Sequence, residues 1–300
     1  MSEANAPEEI AVPVDGGELA VLRWPGAAAD PPLVVLLHGI TSNALTWGHV
    51  APALAGEFEV LAPDLRGRAG SAALPGPYGV ERHAEDVAAL IRAVGDGRRA
   101  VLVGHSMGGF VATMATAGIA ENLVRGLVLV DGGAQFPTPA GPDPDAMLEG
   151  MLGPWLARLE TTVPDRDAVR AFWAGDPAVG PWVDDAAVAA FLARDVVPVD
   201  GGLRSACVPE AVRLDGADML TNERVVEATS NLPIPATLLW AERGMQDQTP
   251  GLYDEARLER LGMARIGIAT RRVPDTNHDS ILWARQGVDE IVEAVRAAAT

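Results

Sequence analysis

Short apolar runs alternate with longer amphipathic stretches through the first half of the chain, and this rhythm limits the possible folds most strongly. The runs Leu33 to Leu37, Glu59 to Ala62 and Val101 to Val103 are each followed by a turn and a helix-like segment. Strands that read as continuous apolar runs are typical of parallel sheets covered by helices on both faces. The pattern predicts an α/β fold with a mostly parallel, doubly wound sheet.

Further periodic segments extend this predicted sheet domain. One apolar helical stripe consists of Val80, Ala84, Val87, Ile91 and Val94, and another, in the closing helix, consists of Val288, Ile291, Val292 and Val295. Additional strands are predicted at Leu127 to Val130, at Ala236 to Trp240 and near Ile268 to Val273.

The strand–helix rhythm breaks between about Gly133 and Leu232, where Pro and Gly punctuate helical fragments. Residues 133–232 are therefore predicted to form a helical cap inserted into an α/β core of residues 1–132 and 233–300. We expect Met151, Trp155 and Trp182 to line a hydrophobic substrate chamber. Apolar helical stripes also pack a cap onto its core, and that alternative stays open.

Composition excludes several classes of function. The 300 residues carry a formal charge of −18, which opposes binding to nucleic acid. Cys207 is the only cysteine, so an intramolecular disulfide and a cysteine-based metal site are excluded. The first residues lack the pattern of a secretion signal, and no apolar run has the length of a membrane span. We expect a cytoplasmic protein without nucleic-acid or membrane partners, and the oligomeric state is left open.

The segment from Gly104 to Gly109 carries the strongest chemical signal. It reads Gly-His-Ser-Met-Gly-Gly and lies where the apolar strand ends and a helix begins. Gly-x-Ser-x-Gly in a strand-to-helix turn is a nucleophile elbow, in which small neighbours let a strained serine project into a cleft. Ser106 is therefore the predicted nucleophile.

A serine nucleophile needs a base, and His278 is the candidate. In a fold with this elbow the base comes late in the chain, and of the five histidines only His278 does so. It lies in a loop after the last predicted strand. The other histidines are interpreted as structural, with His83 on a helix surface and His105 shaping the elbow.

Acyl transfer also needs two preorganised donors for the oxyanion. The backbone N–H groups of Ile40 and Met107 are the predicted pair, with Gly39 permitting the turn. His38 is expected to hold this loop by hydrogen bonds, and we include it among the residues that contact substrate.

In order along the chain, several landmarks resemble the α/β-hydrolase superfamily. They are His38-Gly39, the turn Asp64-Leu65-Arg66-Gly67, Gly104 to Gly109, the strand Leu127 to Val130 with Asp131 after it, and Asn277-His278. The resemblance covers nearly the whole chain outside the predicted cap. It implies hydrolysis of an ester, a lactone or a related acyl bond without a metal or an organic cofactor. Relatives with an aspartate nucleophile cleave haloalkanes or epoxides, and Ser106 argues against both.

The acid that orients the histidine is left open between two positions. Family members usually carry it in the turn after the strand Ala236 to Trp240, where this chain has Gly244. Some relatives place it directly after the preceding strand, and Asp131 stands there. We favour Asp131, with Asp247 as the alternative acid and Glu242 as a third candidate.

The leading hypothesis is a serine esterase or lactonase that acts on a small hydrophobic molecule. The same triad could cleave a carbon–carbon bond or form a peracid. A ligand-binding member of the fold without catalysis is a hypothesis from another class, and Gly244 at the usual position of the acid is its main support. Ser106 and His278 together argue against a pure binder.

Overall fold

The structure is a computed structural model that describes residues 6–134 and 143–300. Within these ranges the strands are β1 (Glu8–Val14), β2 (Gly17–Trp24), β3 (Leu33–Leu37), β4 (Glu59–Pro63), β5 (Ala100–His105), β6 (Val124–Val130), β7 (Val196–Val199), β8 (Gly202–Ser205), β9 (Ala236–Ala241) and β10 (Ile268–Val273). Eight of them form one sheet in the order β1-β2-β4-β3-β5-β6-β9-β10. All pairs from β4 to β10 in this order are parallel, while β1 and β2 are antiparallel. The predicted mostly parallel sheet is confirmed.

The described residues form ten α-helices, some of which pack on this sheet. Their bounds are α1 (Val50–Leu54), α2 (Val80–Val94), α3 (Met107–Met114), α4 (Pro144–Glu160), α5 (Arg166–Ala174), α6 (Ala186–Arg194), α7 (Pro209–Thr221), α8 (Glu223–Ser230), α9 (Glu255–Leu261) and α10 (Arg285–Ala299). One group contains α1 and α10, which contact each other, and a second contains α2, α3 and α8, in which α3 contacts the other two. No helix in the described ranges is long and apolar enough to cross a membrane.

The central strands are buried because helices cover both faces of the sheet. Every residue of β3, β4 and β5 is buried. The predicted stripe of α2 also packs inward, with Val80, Ala84, Val87 and Ile91 all buried. The buried core therefore fixes the positions of the carboxyl ends of the strands. Polar residues follow β3, β5 and β6 at these ends.

The N-terminal hairpin of β1 and β2 was not predicted from the sequence. Its two-residue turn is Asp15-Gly16, and Val14 pairs with Gly17. Asp-Gly between extended segments is a strong hairpin signal, and Gly16 adopts a positive φ of 87°, which glycine does without strain. The antiparallel pair extends one edge of the sheet and lies away from the carboxyl ends of β5 and β6.

An insertion separates β6 from β9. Its described part contains the helices α4 to α8, together with the antiparallel hairpin of β7 and β8 that the sequence did not predict. Residues 135–142, which belong to the predicted cap, lie outside the described residues. The insertion lies between β6 and β9, the part of the chain for which a helical cap is predicted.

Candidate active site

Ser106 lies in the turn that joins β5 to α3. Its backbone has φ 52° and ψ −123°, a conformation that residues other than glycine rarely adopt. Gly104 and Gly108 let strand and helix approach: a Cβ on Gly104 would lie 2.2 Å from the Gly108 carbonyl oxygen, and one on Gly108 would lie 2.2 Å from that of Leu37. Because neither position has room for a side chain, the local sequence imposes this turn and holds Ser106 at the carboxyl end of β5.

His278 lies in the loop between β10 and α10, where its ring is bound to Asp131. The distance from Nδ1 of His278 to Oδ2 of Asp131 is 2.7 Å, and both side chains are buried. Oδ1 of Asp131 accepts a second hydrogen bond from the backbone N–H of Ala241, at 3.0 Å. Since the carboxylate accepts from Nδ1–H, the neutral ring carries its free lone pair on Nε2. A histidine held in this tautomer can take a proton at Nε2.

The pKa of His278 is raised above its ordinary value of 6.5 although the ring is buried. Burial is the largest influence and acts to lower this pKa, but the hydrogen bond and charge of Asp131 and the charge of Asp279 together outweigh it. Burial raises the pKa of the Asp279 carboxyl to about 6. Burial also lowers the pKa of His105 well below 6.5, so this neighbouring ring stays neutral.

Hydrogen bonds join the three segments that carry Ser106, Asp131 and His278. The Ser106 N–H donates to the carbonyl oxygen of Val130 at 3.1 Å, directly before Asp131. Nε2 of His105 donates to the carbonyl oxygen of His278 at 2.8 Å, and the two rings lie 4.6 Å apart between centroids. The structure therefore brings all three segments together at the carboxyl ends of β5 and β6.

The other two candidate acids, Asp247 and Glu242, accept hydrogen bonds from other residues. Oδ1 of Asp247 accepts from Nε of Arg243 at 2.7 Å and from Nδ2 of Asn277 at 2.9 Å. Glu242 accepts from the backbone N–H of Asp275 at 2.9 Å. Of the three acids weighed from the sequence, Asp131 is the one hydrogen-bonded to His278 in the described part of the chain.

Both predicted oxyanion residues lie close to Ser106. Met107 is the first residue of α3, where helical N–H groups have no acceptor within the helix. Ile40 follows β3, and the neighbouring Gly39 lies so close that a Cβ there would be 3.2 Å from the Ser106 Cβ. The positive end of the α3 dipole also favours negative charge at this place.

A small apolar chamber adjoins Ser106 and Asp131. The insertion contributes Leu148, Met151, Leu152 and Met219 to its wall, and the core contributes Ile40, Phe110, Gly132, Met245 and Leu252. Its volume is about 20 Å³, enough for roughly one water molecule. Side chains must therefore move to admit a substrate, and the flexible methionines of the wall are suited to that.

Of the four side chains expected to contact substrate, Met151 lines the chamber. The residues that line it do not include His38, Trp155 or Trp182. His38 is fully buried, with Nδ1 donating to the Gly39 carbonyl oxygen at 2.7 Å and Nε2 accepting from the Leu65 N–H at 2.9 Å. Both ring nitrogens are thus occupied. This corrects its assignment as a substrate contact and agrees with the expected structural role in the loop.

The two tryptophans are also not among the residues that line the chamber. The indole N–H of Trp155 donates to Oδ2 of Asp176 at 3.0 Å, and its ring lies 6.3 Å from that of Trp173. The ring of Trp182 lies 6.1 Å from that of Trp283. Both side chains therefore pack within the insertion or against the core, and neither lines the chamber.

The fold and these residues define an α/β hydrolase. A sequence model of the Alpha/beta hydrolase family matches residues 34–294. The chain belongs to this family, as the sequence resemblance implied.

Particular members of the family resemble this chain over most of its length. The 2-(acetamidomethylene)succinate hydrolase of Mesorhizobium japonicum is 33% identical over 247 residues, which are 82% of this chain and 81% of the relative. A crystal structure of E-2-(acetamidomethylene)succinate hydrolase has a TM-score of 0.78 at 25% identity and covers 97% of this chain and 99% of its own. An uncharacterised protein of Mycobacterium tuberculosis is 41% identical over 106 residues, a match that spans 35% of this chain and only 30% of that protein. Two of these three relatives are named as hydrolases.

Proposed function

We propose that this chain is a serine hydrolase that cleaves a carboxyl ester or lactone bond of a small hydrophobic molecule through an acyl-enzyme. The observation that carries the proposal is the hydrogen bond of 2.7 Å between Nδ1 of His278 and Asp131, beside the strained turn of Ser106. It leaves Nε2 of the imidazole as a base next to the segment of the nucleophile. The backbone N–H groups of Ile40 and Met107, the predicted oxyanion donors, also fit acyl transfer.

In the proposed mechanism Oγ of Ser106 attacks the acyl carbon while Nε2 of His278 takes its proton. The N–H groups of Ile40 and Met107 stabilise the negative oxygen of the tetrahedral intermediate. The imidazolium, stabilised by Asp131, then returns the proton to the departing alcohol. A water molecule, deprotonated by His278, releases the acid and regenerates the serine.

The chamber supports a neutral, hydrophobic acyl group. Among the described residues that line it, Asp131 is the one charged group, and it is negative. An anionic acyl group would meet apolar walls and this carboxylate without a cation to pair it. The proposed substrate therefore has a neutral acyl group, unlike the succinate in the name of the Mesorhizobium relative.

A fluorophosphonate probe and a panel of chromogenic esters test this proposal. We expect the probe to label Ser106, with the labelled peptide identified by mass spectrometry. In the panel, matched p-nitrophenyl esters and lactones carry either a neutral acyl chain or one ending in a carboxylate, and we expect the neutral series to react faster. Absence of labelling would exclude an activated serine, and faster turnover of the anionic series would exclude the proposed substrate class.

The pH profile is expected to report the raised pKa of His278. Because the neutral ring is the base, kcat/KM should fall as the pH decreases, with its midpoint above 6.5. The Asp279→Asn variant removes a charge that raises the pKa of His278, so its midpoint should move to lower pH. Profiles measured with a substrate that does not ionise would check both expectations. A midpoint at or below 6.5, or a shift to higher pH in Asp279→Asn, would contradict them.

A further inference from the structure

Arg68 is a fully buried arginine in the loop between β4 and α2, and its guanidinium reaches both predicted oxyanion residues. Nε donates to the carbonyl oxygen of Ile40 at 3.0 Å, and Nη2 lies 4.0 Å from Sδ of Met107. Nη1 donates to the carbonyl oxygen of Arg66 at 2.9 Å. The orientation of Ile40 is thus tied to the position of one cation.

Asp215, on α7 of the insertion, holds this cation in place. Its Oδ2 forms an ion pair with Nη1 of Arg68 and accepts from Nε2 of His83 at 2.9 Å, and its Oδ1 accepts from the Gly79 N–H at 2.6 Å. Arg68, Asp215 and His83 are all fully buried, which corrects the prediction that His83 lies on a helix surface. Burial acts to raise the pKa of Asp215, but the charges and hydrogen bonds of His83 and Arg68 outweigh it and hold this pKa low. The carboxylate is therefore ionised.

The same helix packs directly on the loop of Arg68 and also forms part of the chamber. The N–H of Val208, just before α7, donates to the carbonyl oxygen of Gly67 at 2.8 Å. A Cβ on Gly67 would lie 2.5 Å from the Cβ of Ala211, and its φ is 79°. Met219, near the other end of α7, lines the chamber. One rigid helix thus touches both the substrate wall and the support of the oxyanion residues.

We propose that Arg68 and Asp215 are positioning residues of the oxyanion hole, through which α7 of the insertion sets the orientation of the Ile40 N–H. This inference rests on the proposed function. Arg68 holds the carbonyl group of Ile40 through a hydrogen bond. Because Asp215 on α7 holds Arg68, this hydrogen bond requires that α7 is packed against the core. The hole is then complete only when the insertion is docked, so substrate chamber and transition-state stabilisation are assembled together.

The Arg68→Met variant tests the positioning role. Losing one oxyanion donor lowers kcat by about 10²-fold to 10³-fold, and we expect a loss near the lower end, with KM nearly unchanged. Affinity for an alkyl boronic acid, which mimics the tetrahedral intermediate, should fall by a similar factor. Arg66→Met is the matched control, because Arg66 is equally buried and paired with Asp86 but donates to Pro75 and Asp15 rather than to the Ile40 loop. It should lower thermal stability without lowering kcat of the folded fraction.

The double variant Arg68→Met/Asp215→Asn separates positioning from stability. It removes both members of the Arg68–Asp215 ion pair instead of leaving the Asp215 carboxylate buried without Arg68, so its thermal midpoint should recover relative to Arg68→Met, while kcat and boronate affinity stay low. Recovery of kcat together with stability would overturn the inference, as would wild-type boronate affinity in folded Arg68→Met. Failure of the wild-type protein to react with a fluorophosphonate would instead count against the proposed function. A labelled wild type with an unaffected Arg68→Met variant would count against this inference alone.

Discussion

Replacing Ser106 with alanine is expected to lower kcat/KM for ester hydrolysis by about 10⁴-fold to 10⁶-fold. The variant keeps the oxyanion donors and the Asp131–His278 pair but lacks the oxygen that forms the acyl-enzyme. What remains is hydrolysis by water within a preorganised site. Hydrolysis of a chromogenic ester and fluorophosphonate labelling would both be measured.

Folding is not expected to explain this loss. Alanine retains the Cβ and can occupy the same strained turn, so the thermal midpoint of Ser106→Ala should stay close to that of the wild type. Ser230→Ala is a suitable control because Ser230 is exposed at the end of α8, and its activity should be unchanged. If Ser106→Ala retained wild-type hydrolysis in folded protein, the acyl-enzyme mechanism on this residue would be wrong.

The sheet and the segment of the nucleophile could be predicted because their signals are local. β3 is a run of five apolar residues, all buried, and such a run has few alternatives to a central strand. The glycines around Ser106 follow from contacts with the adjacent strand and helix, which any sequence with this turn must satisfy. Local pattern and global fold agree in these places.

Most of the chamber wall and the contacts of Asp215 with Arg68 and His83 could not be predicted because they depend on distant parts of the chain. Met219 lies on α7, and Met245 lies beyond β9, with no shared periodicity to connect them. The local sequence predicts His83 on a helix surface, because its partner Asp215 lies 132 residues further along the chain and gives no local signal. Pairing of this kind depends on how the insertion packs on the core. The sequence between β6 and β9 is irregular and has no repeat from which this packing could be predicted.

The acid that orients His278 is also identified by a contact between distant residues, here with Asp131. Its replacement is the second change expected to have a large effect on turnover. Asp131→Asn should lower kcat by about 10⁴-fold, as expected when the histidine base is held in the wrong tautomer. The asparagine oxygen can keep the hydrogen bond from the Ala241 N–H, so its amide NH₂ would face Nδ1 of His278. The ring would then carry its proton on Nε2 and could not accept one from Ser106.

Asp247→Asn is the matched control, since it makes the same chemical change at the position nearer to where the family usually carries the acid. The side chain of Asp247 is 37% exposed and binds Arg243 and Asn277, and an asparagine oxygen can still accept from both. Exposed ion pairs contribute little to stability, so turnover and thermal midpoint should stay close to wild-type values. Steady-state kinetics of both variants on one ester, with circular dichroism to verify folding, would rank the two acids. A larger loss in Asp247→Asn than in Asp131→Asn would mean that the base is oriented from the β9 side, against the geometry of His278 described above.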